Sequence, residues 1–269
     1  MKIFDCFTFN DDLEILDIRL HTLDKFINKF IIVESKINHQ WGKKKINFDI
    51  NLFKKFKDKI NYFLIEDFPK NYNSNQIENF QRDYISNGLK NCDDNDVIII
   101  SDADEIPNLV NINFKNLKKK VYSFEQSNFM YKLNLMRPNK WLGSKLCKYK
   151  DLKSPQWLRS LKTHKKQPFF RIDKIFKENY ISDFEIIKNG GWHFSWLKST
   201  ENIILKIKSY AHTEYNIPLF KNKKYISKCI KNHVSFFDVR EKLQRQNINV
   251  SFPNYIKNNK SLLSKWIEK

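Results

Sequence analysis

An uninterrupted apolar run, Val97 to Ile100, ends abruptly in acid: residues 97–107 read VIIISDADEIP. A β-branched run without polar alternation belongs to a strand covered on both faces, as in a parallel sheet backed by helices on each side. At its carboxyl end it delivers three carboxylates, Asp102, Asp104 and Glu105. Open α/β sheets bind their ligands beyond that end of the strands. Residues two apart in an extended chain point the same way, so Asp102 and Asp104 are expected to share one side. Two close carboxylates repel, and a divalent cation relieves the repulsion. Hard oxygen ligands suit magnesium or manganese, often shared with substrate phosphates. The competing reading is a solvated acidic turn in which Asp104 or Glu105 caps a following helix. The preceding strand and Pro107 make a rigid presentation, which favours a functional site.

The chain before this strand alternates between two periods. KIFDCFTF (2–9), FIIVES (30–35) and INYFLIE (60–66) are short apolar strands. Leu13, Leu16, Leu20 and Leu23 fall at i, i+3, i+7 and i+10, one face of a helix. Asn10 is placed to cap that helix, and Asp11, Asp12 and Glu14 suit the positive end of its dipole. IENFQRDYISNGLKNC (77–92) reads as a second helix. Strand, helix, strand, strand, helix, strand predicts an α/β fold. The turn FTFNDDLE holds no glycine and carries extra acids, so a diphosphate is not expected on that helix end. After residue 110, VYSFEQSNFMYKLNL (121–135) alternates as a strand or hairpin. Residues 138–170, rich in Lys, Pro, Trp and Ser, read as a long functional loop. STENIILKIKSYAHTEYN (199–216) is a helix capped by Ser199 or Thr200. The last fifty residues read as helical and basic.

Charge sharpens this division. The 269 residues hold 49 Lys+Arg and 30 Asp+Glu, a net of +19, with 41% hydrophobic residues and 23 Phe, too much apolar mass for a disordered chain. Residues 1–135 hold 20 basic and 20 acidic residues, which leaves 49 − 20 = 29 and 30 − 20 = 10 for residues 136–269. The whole excess lies in the second half. It suggests an anionic partner: nucleic acid, a membrane surface or a phosphorylated substrate. Cys6, Cys92, Cys147 and Cys229 form no C-x-x-C pair and read as reduced and mostly buried. No apolar run approaches the ~18 residues of a membrane span, and the start lacks a secretory pattern. A cytoplasmic location is expected.

A second segment stands out. GGWHFSWL (190–197) places two of the five glycines together and then presents Trp192, His193 and Trp196. Alone, a histidine among aromatics is more often a core residue. Beside a carboxylate pair that binds a cation, an imidazole ligand becomes plausible. Downstream, His212 and Glu214 lie two apart.

Taken in order, FDCFTFNDDLEILDIRL, FIIVES, QRDYISNGL, IIISDADEIP, GGWHFSWL and KIKSYAHTEYN resemble glycosyltransferase family 17 over nearly the whole chain. The resemblance implies a GT-A-like nucleotide-sugar-binding mixed sheet flanked by helices, with a basic helical C-terminal extension. It divides the chain into a glycosyltransferase domain, 1–216, and an extension, 217–269. Within the domain, 1–110 would bind the nucleotide sugar and 111–216 the acceptor. It implies inverting transfer of N-acetylglucosamine from UDP-GlcNAc, with Mn2+ or Mg2+. Asp102 and Asp104 would be the DxD pair, Asp104 the direct metal ligand and Asp102 on the ribose or a metal-bound water. His193 would complete the metal or phosphate site. Arg82, Asn10, Glu34 and Trp192 would face the donor, and Arg159 or Arg171 would help stabilise the leaving diphosphate. The base should be a carboxylate late in the chain: Asp183, Glu185 or Glu214, with Glu185 favoured by its place shortly before the Gly-Gly turn.

The implied acceptor is a glycan, a lipid-linked sugar or a polysaccharide. The basic stretch from Lys257 to Lys269 suggests peripheral contact with an anionic inner membrane surface. Two other readings compete. A metal-dependent nuclease or phosphoryl-transfer enzyme would use the acids and the positive charge. However, no second carboxylate cluster is evident, and acids and basic excess lie in different halves, so nucleic acid is not the expected partner. A non-catalytic glycan- or membrane-binding module would use aromatic segments such as WLGSKLCKY (141–149) and SPQWLRS (154–160) for stacking on sugar rings.

Overall fold

The computed structural model describes residues 1–162, 183–209 and 213–269. It is a mixed α/β structure in which helices flank one large sheet. Four strands, β1 (Ile3–Thr8), β2 (Lys29–Ser35), β3 (Ile60–Ile65) and β4 (Val97–Asp102), run parallel in the order β3-β2-β1-β4. These are the four apolar runs of the sequence. β1, β2 and β4 are buried along almost their whole length because both their faces are covered, while β3, at the edge, is half-buried. Phe7, Ile32 and Ile99 pack on one side with helix α1 (Leu13–Leu23), while Cys6, Ile31, Val33, Ile98 and Ile100 pack on the other with α2 (Ser74–Asp83).

Local chemistry sets the helix ends. Asp12, not Asn10, precedes the first turn of α1, and no side chain caps it. Leu16, Leu20 and Leu23 are fully buried along the expected face. Helix α2 starts earlier than the apolar pattern suggests, because Asn73 and Gln76 form a reciprocal capping box. It continues past Asp83 as a 3-10 turn to Gly88.

The second half extends the same sheet. β4 is followed by a two-residue turn and a short strand, β5 (Glu105–Pro107). Then come β6 (Val121–Met130), β7 (Leu135–Met136) and β8 (Trp141–Lys148). β8 lies between β4 and β6, antiparallel to both. The segment read as a loop over 138–170 therefore begins with a central strand. Its buried Ser144 and Lys145 disguise it, since their polar atoms find partners far away in sequence. Helix α3 (Pro155–Ser160) follows, capped by Ser154. β9 (Phe184–Ile187) and β10 (Gly191–Ser195) both pair in parallel with β6, and β10 also pairs antiparallel with β5. Gly191 makes that last pairing possible. Its φ is +133°, and a Cβ there would lie 2.2 Å from the Ile106 carbonyl oxygen.

Helices α4 (Thr200–Ser209) and α5 (Lys223–Lys231) enclose a third cluster around Tyr131, Trp196, Phe220 and Phe236. Residues 217–269 also include a two-residue strand, β11 (Gln244–Arg245), paired with β7, and a short helix, α6 (Asn254–Asn258). Phe252, Ile256, Leu263 and Trp266 join the largest core cluster, which also holds α1. All four cysteines are free, with Cys92 the least buried. Among the described residues no helix is long and apolar enough to cross a membrane.

Candidate active site

Strand parity points Asp102 to the α2–α3 side of β4, with Ile98 and Ile100. Two guanidinium groups meet it there. Arg82 on α2 lies 3.0 Å from Oδ1, and Arg159 on α3 lies 2.7 Å from Oδ2. Burial would raise the Asp102 carboxyl, but Arg159 and Arg82 outweigh it and hold the group well below the usual carboxylate range. The repulsion expected between the clustered acids is thus relieved at Asp102 by arginines. The same arginines are themselves tied inward. Arg82 reaches Gln156 and Glu78, while Arg159 reaches Glu105 at 2.7 Å and the Gly143 carbonyl. Arg82 is therefore both a helix ion pair with Glu78 and a partner of the acidic turn.

Asp102 and Asp104 do not share one extended strand. Residues 103 and 104 form a turn, which breaks the alternation and separates the two side chains. The turn is held from beneath by Arg19 of α1, a residue the sequence reading passed over. Arg19 is fully buried and clamps Asp5 of β1 with two bonds of 2.6 and 2.7 Å. Its remaining donors reach the carbonyls of Asp102, Ala103 and Glu105. An arginine inside an apolar helix face, matched by a lone aspartate inside an apolar strand, was the available signal. Glu105 is also buried, accepting bonds from the Asp102 backbone N–H and the Trp141 indole N–H, 3.1 and 2.6 Å.

Asp104 is left facing His193. The β5–β10 pairing puts His193 opposite Glu105, and the Phe194 N–H donates to the Asp104 carbonyl. His193 Nε2 stands 3.6 Å from Asp104 Oδ1, beyond hydrogen-bond distance. Two neighbouring ligands of a small divalent cation, each about 2.1 Å from it, lie roughly 3 Å apart, so this pair could hold one with little adjustment. Among the described residues, no three His, Cys, Asp or Glu side chains form a metal-binding group. Such an ion would need further oxygens from a substrate. The Trp141 ring stacks on the imidazole, centroids 4.7 Å apart and 27° between planes.

At the carboxyl ends of β1 and β2 a cleft opens between Asn10, His39, Gln81, Lys44, Lys206 and Ser209. Asn10 stands at its edge. His39 donates its Nε2–H to Gln81 Oε1, Gln81 donates to the Val33 carbonyl, and burial lowers the His39 imidazole below the ordinary range. Glu34 lies behind this cleft. It is fully buried and accepts from Lys44, from the Asn47 and Phe48 backbone N–H groups and from Tyr62, so it fixes the 44–48 loop and presents no free oxygen. The acids of the first helix turn are also explained. Lys198 bridges Asp11 and Asp12 at 2.8 and 2.6 Å, and Lys206 approaches Asp12. Basic residues of the second half thereby anchor the segment after β10 onto the end of β1.

Other sequence candidates lie elsewhere. Trp192 neighbours His193 on β10 but faces the opposite side, in the main core, with its indole N–H on the Ser251 carbonyl. Asp183 pairs with Lys119 and caps the start of β6, and Glu185 lies opposite Tyr122. His193 lies opposite Asn128, six residues along β6, so these carboxylates are roughly 20 Å from it. Glu214 sits in a 3-10 turn after α4. Arg171 and His212 lie outside the described residues.

Lys145 supports the arrangement from β8. It is buried, and its ammonium donates to the carbonyls of Arg159 and Leu161, pinning the end of α3. Burial, and then the nearby Arg159, pull it down to about 7. The unfolded chain keeps the ordinary, higher value, so between pH ~7 and ~10 unfolding takes up a proton and stability rises with pH. One such proton gives a slope of up to about 1.4 kcal/mol per pH unit. Denaturant titrations of Lys145→Met should show that slope removed. An unchanged slope would mean that Lys145 is charged in the folded protein throughout.

The chain matches glycosyltransferase family 17 over residues 1–260. It is 21% identical over 234 residues to the β-1,4-mannosyl-glycoprotein 4-β-N-acetylglucosaminyltransferases of Rattus norvegicus and Homo sapiens. The match covers 80% of this chain and 44% of each relative, so the chain spans less than half the length of the curated proteins it resembles.

Proposed function

Because this chain belongs to glycosyltransferase family 17, we propose that it is a metal-dependent inverting glycosyltransferase. It transfers N-acetylglucosamine from UDP-GlcNAc to a glycan, lipid-linked or polysaccharide acceptor. The observation that carries this reading is the Asp104–His193 pair, held 3.6 Å apart just past the carboxyl end of β4, the neighbour of β1, whose own end borders the Asn10–His39 cleft. The cleft takes the nucleoside. Asp104 and His193 hold Mn2+ or Mg2+, which when bound offsets charge on the departing diphosphate.

The remaining residues keep that geometry in place. Arg82 and Arg159 fix Asp102, and Arg19 fixes the turn that carries Asp104. Inverting transfer needs one base on the acceptor hydroxyl. Of the three late carboxylates, Glu214 follows the helix whose Lys206 and Ser209 line the cleft, which supports it over Asp183 and Glu185. The location we favour is cytoplasmic, with the basic tail near an anionic surface.

The test is slow hydrolysis of UDP-, GDP- and CMP-sugars with and without Mn2+. We expect metal-dependent hydrolysis of UDP-GlcNAc above the other donors. Absence of turnover with every nucleotide sugar, together with metal-dependent cleavage of DNA or RNA, would favour the phosphoryl-transfer alternative.

A further inference from the structure

Trp141 is an aromatic side chain held in place with much of its surface in solvent. It opens β8, and its indole N–H is fixed to Glu105 Oε1 at 2.6 Å. One ring face is covered by His193. Lys140 just before it is tied to Ser127 Oγ. Even so, 36% of the residue stays exposed. A large apolar ring left in water is ordinary when it is loose. This one has both its polar atom and one face engaged, so its orientation is fixed before any ligand arrives, and it lies one ring's thickness from His193.

We infer that Trp141, on the ring face not covered by His193, is a pyranose-stacking platform that orients a substrate sugar beside the Asp104–His193 site. The C–H face of a pyranose packs flat on an indole, while its hydroxyls stay at the rim for polar partners. Pre-organisation matters here, because a ring already immobilised loses little entropy on binding. The inference rests on the glycosyltransferase reading. The sugar could belong to the acceptor or to the donor, and both present the same C–H face.

Saturation-transfer NMR on the full chain tests it, with methyl β-glucoside, methyl N-acetyl-β-glucosaminide, methyl α-mannoside and methyl β-galactoside as probes. At least one should receive saturation at its ring C–H protons. Trp141→Ala should weaken that binding roughly tenfold, Trp141→Phe should retain part of it, and Trp41→Ala, which removes another exposed indole, should leave it unchanged. UDP with Mn2+ should raise the melting temperature of wild type and of Trp141→Phe alike. Saturating UDP-GlcNAc displaces the glycoside if the platform serves the donor sugar and leaves it bound if it serves the acceptor. Binding that survives in Trp141→Ala, or no probe binding to wild type while UDP still binds, overturns the platform. Loss of the UDP shift in wild type overturns the glycosyltransferase reading instead.

Discussion

Asp104→Asn should lower metal-dependent turnover of UDP-GlcNAc by about 10³-fold, the scale seen when one group stabilising developing charge is removed. Its melting temperature should hardly move. The physical reason is how little Asp104 does for the fold. Its carbonyl accepts the Phe194 N–H, which an asparagine would keep. Its side chain faces His193 at 3.6 Å, too far for a hydrogen bond. The substitution preserves shape and removes one negative charge where a cation is to be held. Asp102→Asn differs, because Arg82 and Arg159 both bind that carboxylate and would be left with a weaker partner. Turnover against Mn2+ concentration, measured beside thermal melts, separates the two. Asp104→Asn within tenfold of wild type at saturating metal would remove Asp104 from the ligand set.

The largest stability loss is expected from Arg19→Met. Asp5 and Arg19 are both fully buried, and the arginine is the partner that compensates the Asp5 charge. Breaking a buried pair by removing one member costs about 3–5 kcal/mol, because the other charge is stranded without water. Three backbone carbonyls of the 102–105 turn lose their donor as well. For a domain of this size the melting point should fall by roughly 6–20 °C. Asp5→Asn added to Arg19→Met should recover part of the loss, since the stranded charge is then gone. A single variant that melts within about 2 °C of wild type would show that the pair contributes little net stability. Turnover should fall in the single variant beyond the fraction unfolded, because the turn that aims Asp104 is loosened.

The two halves of the protein differ in how much of them is readable from sequence. β1 to β4 are dominated by apolar residues, most strongly where β1, β2 and β4 are buried on both faces of the parallel sheet, and α1 shows its leucine face. β8 has no such signature. Gly143, Ser144 and Lys145 look like loop residues and become strand residues because Ser101, Gln126 and the carbonyls of Arg159 and Leu161 satisfy or accommodate them. Glu34 looks like a site residue at a strand end. Its role in fixing the 44–48 loop depends on four donors that only the folded chain assembles.

The order of strand and helix periods over the first 110 residues determined the fold class, and the acidic burst that ends the fourth apolar strand, VIIISDADEIP, marked the residues to inspect. The even charge of the first half and the basic excess of the second were also plain, though part of that excess serves internal pairing, as Lys198 and Lys206 show at Asp11 and Asp12. Only the tertiary structure decided which acid does what. Asp102 is held between two arginines, Glu105 is buried under Trp141, and Asp104 alone of the three faces His193. The reason is physical. Side-chain periodicity is a local property that the chain carries everywhere, whereas the choice of partner across a sheet is made between residues as distant as Glu105 and His193 and depends on every strand between them.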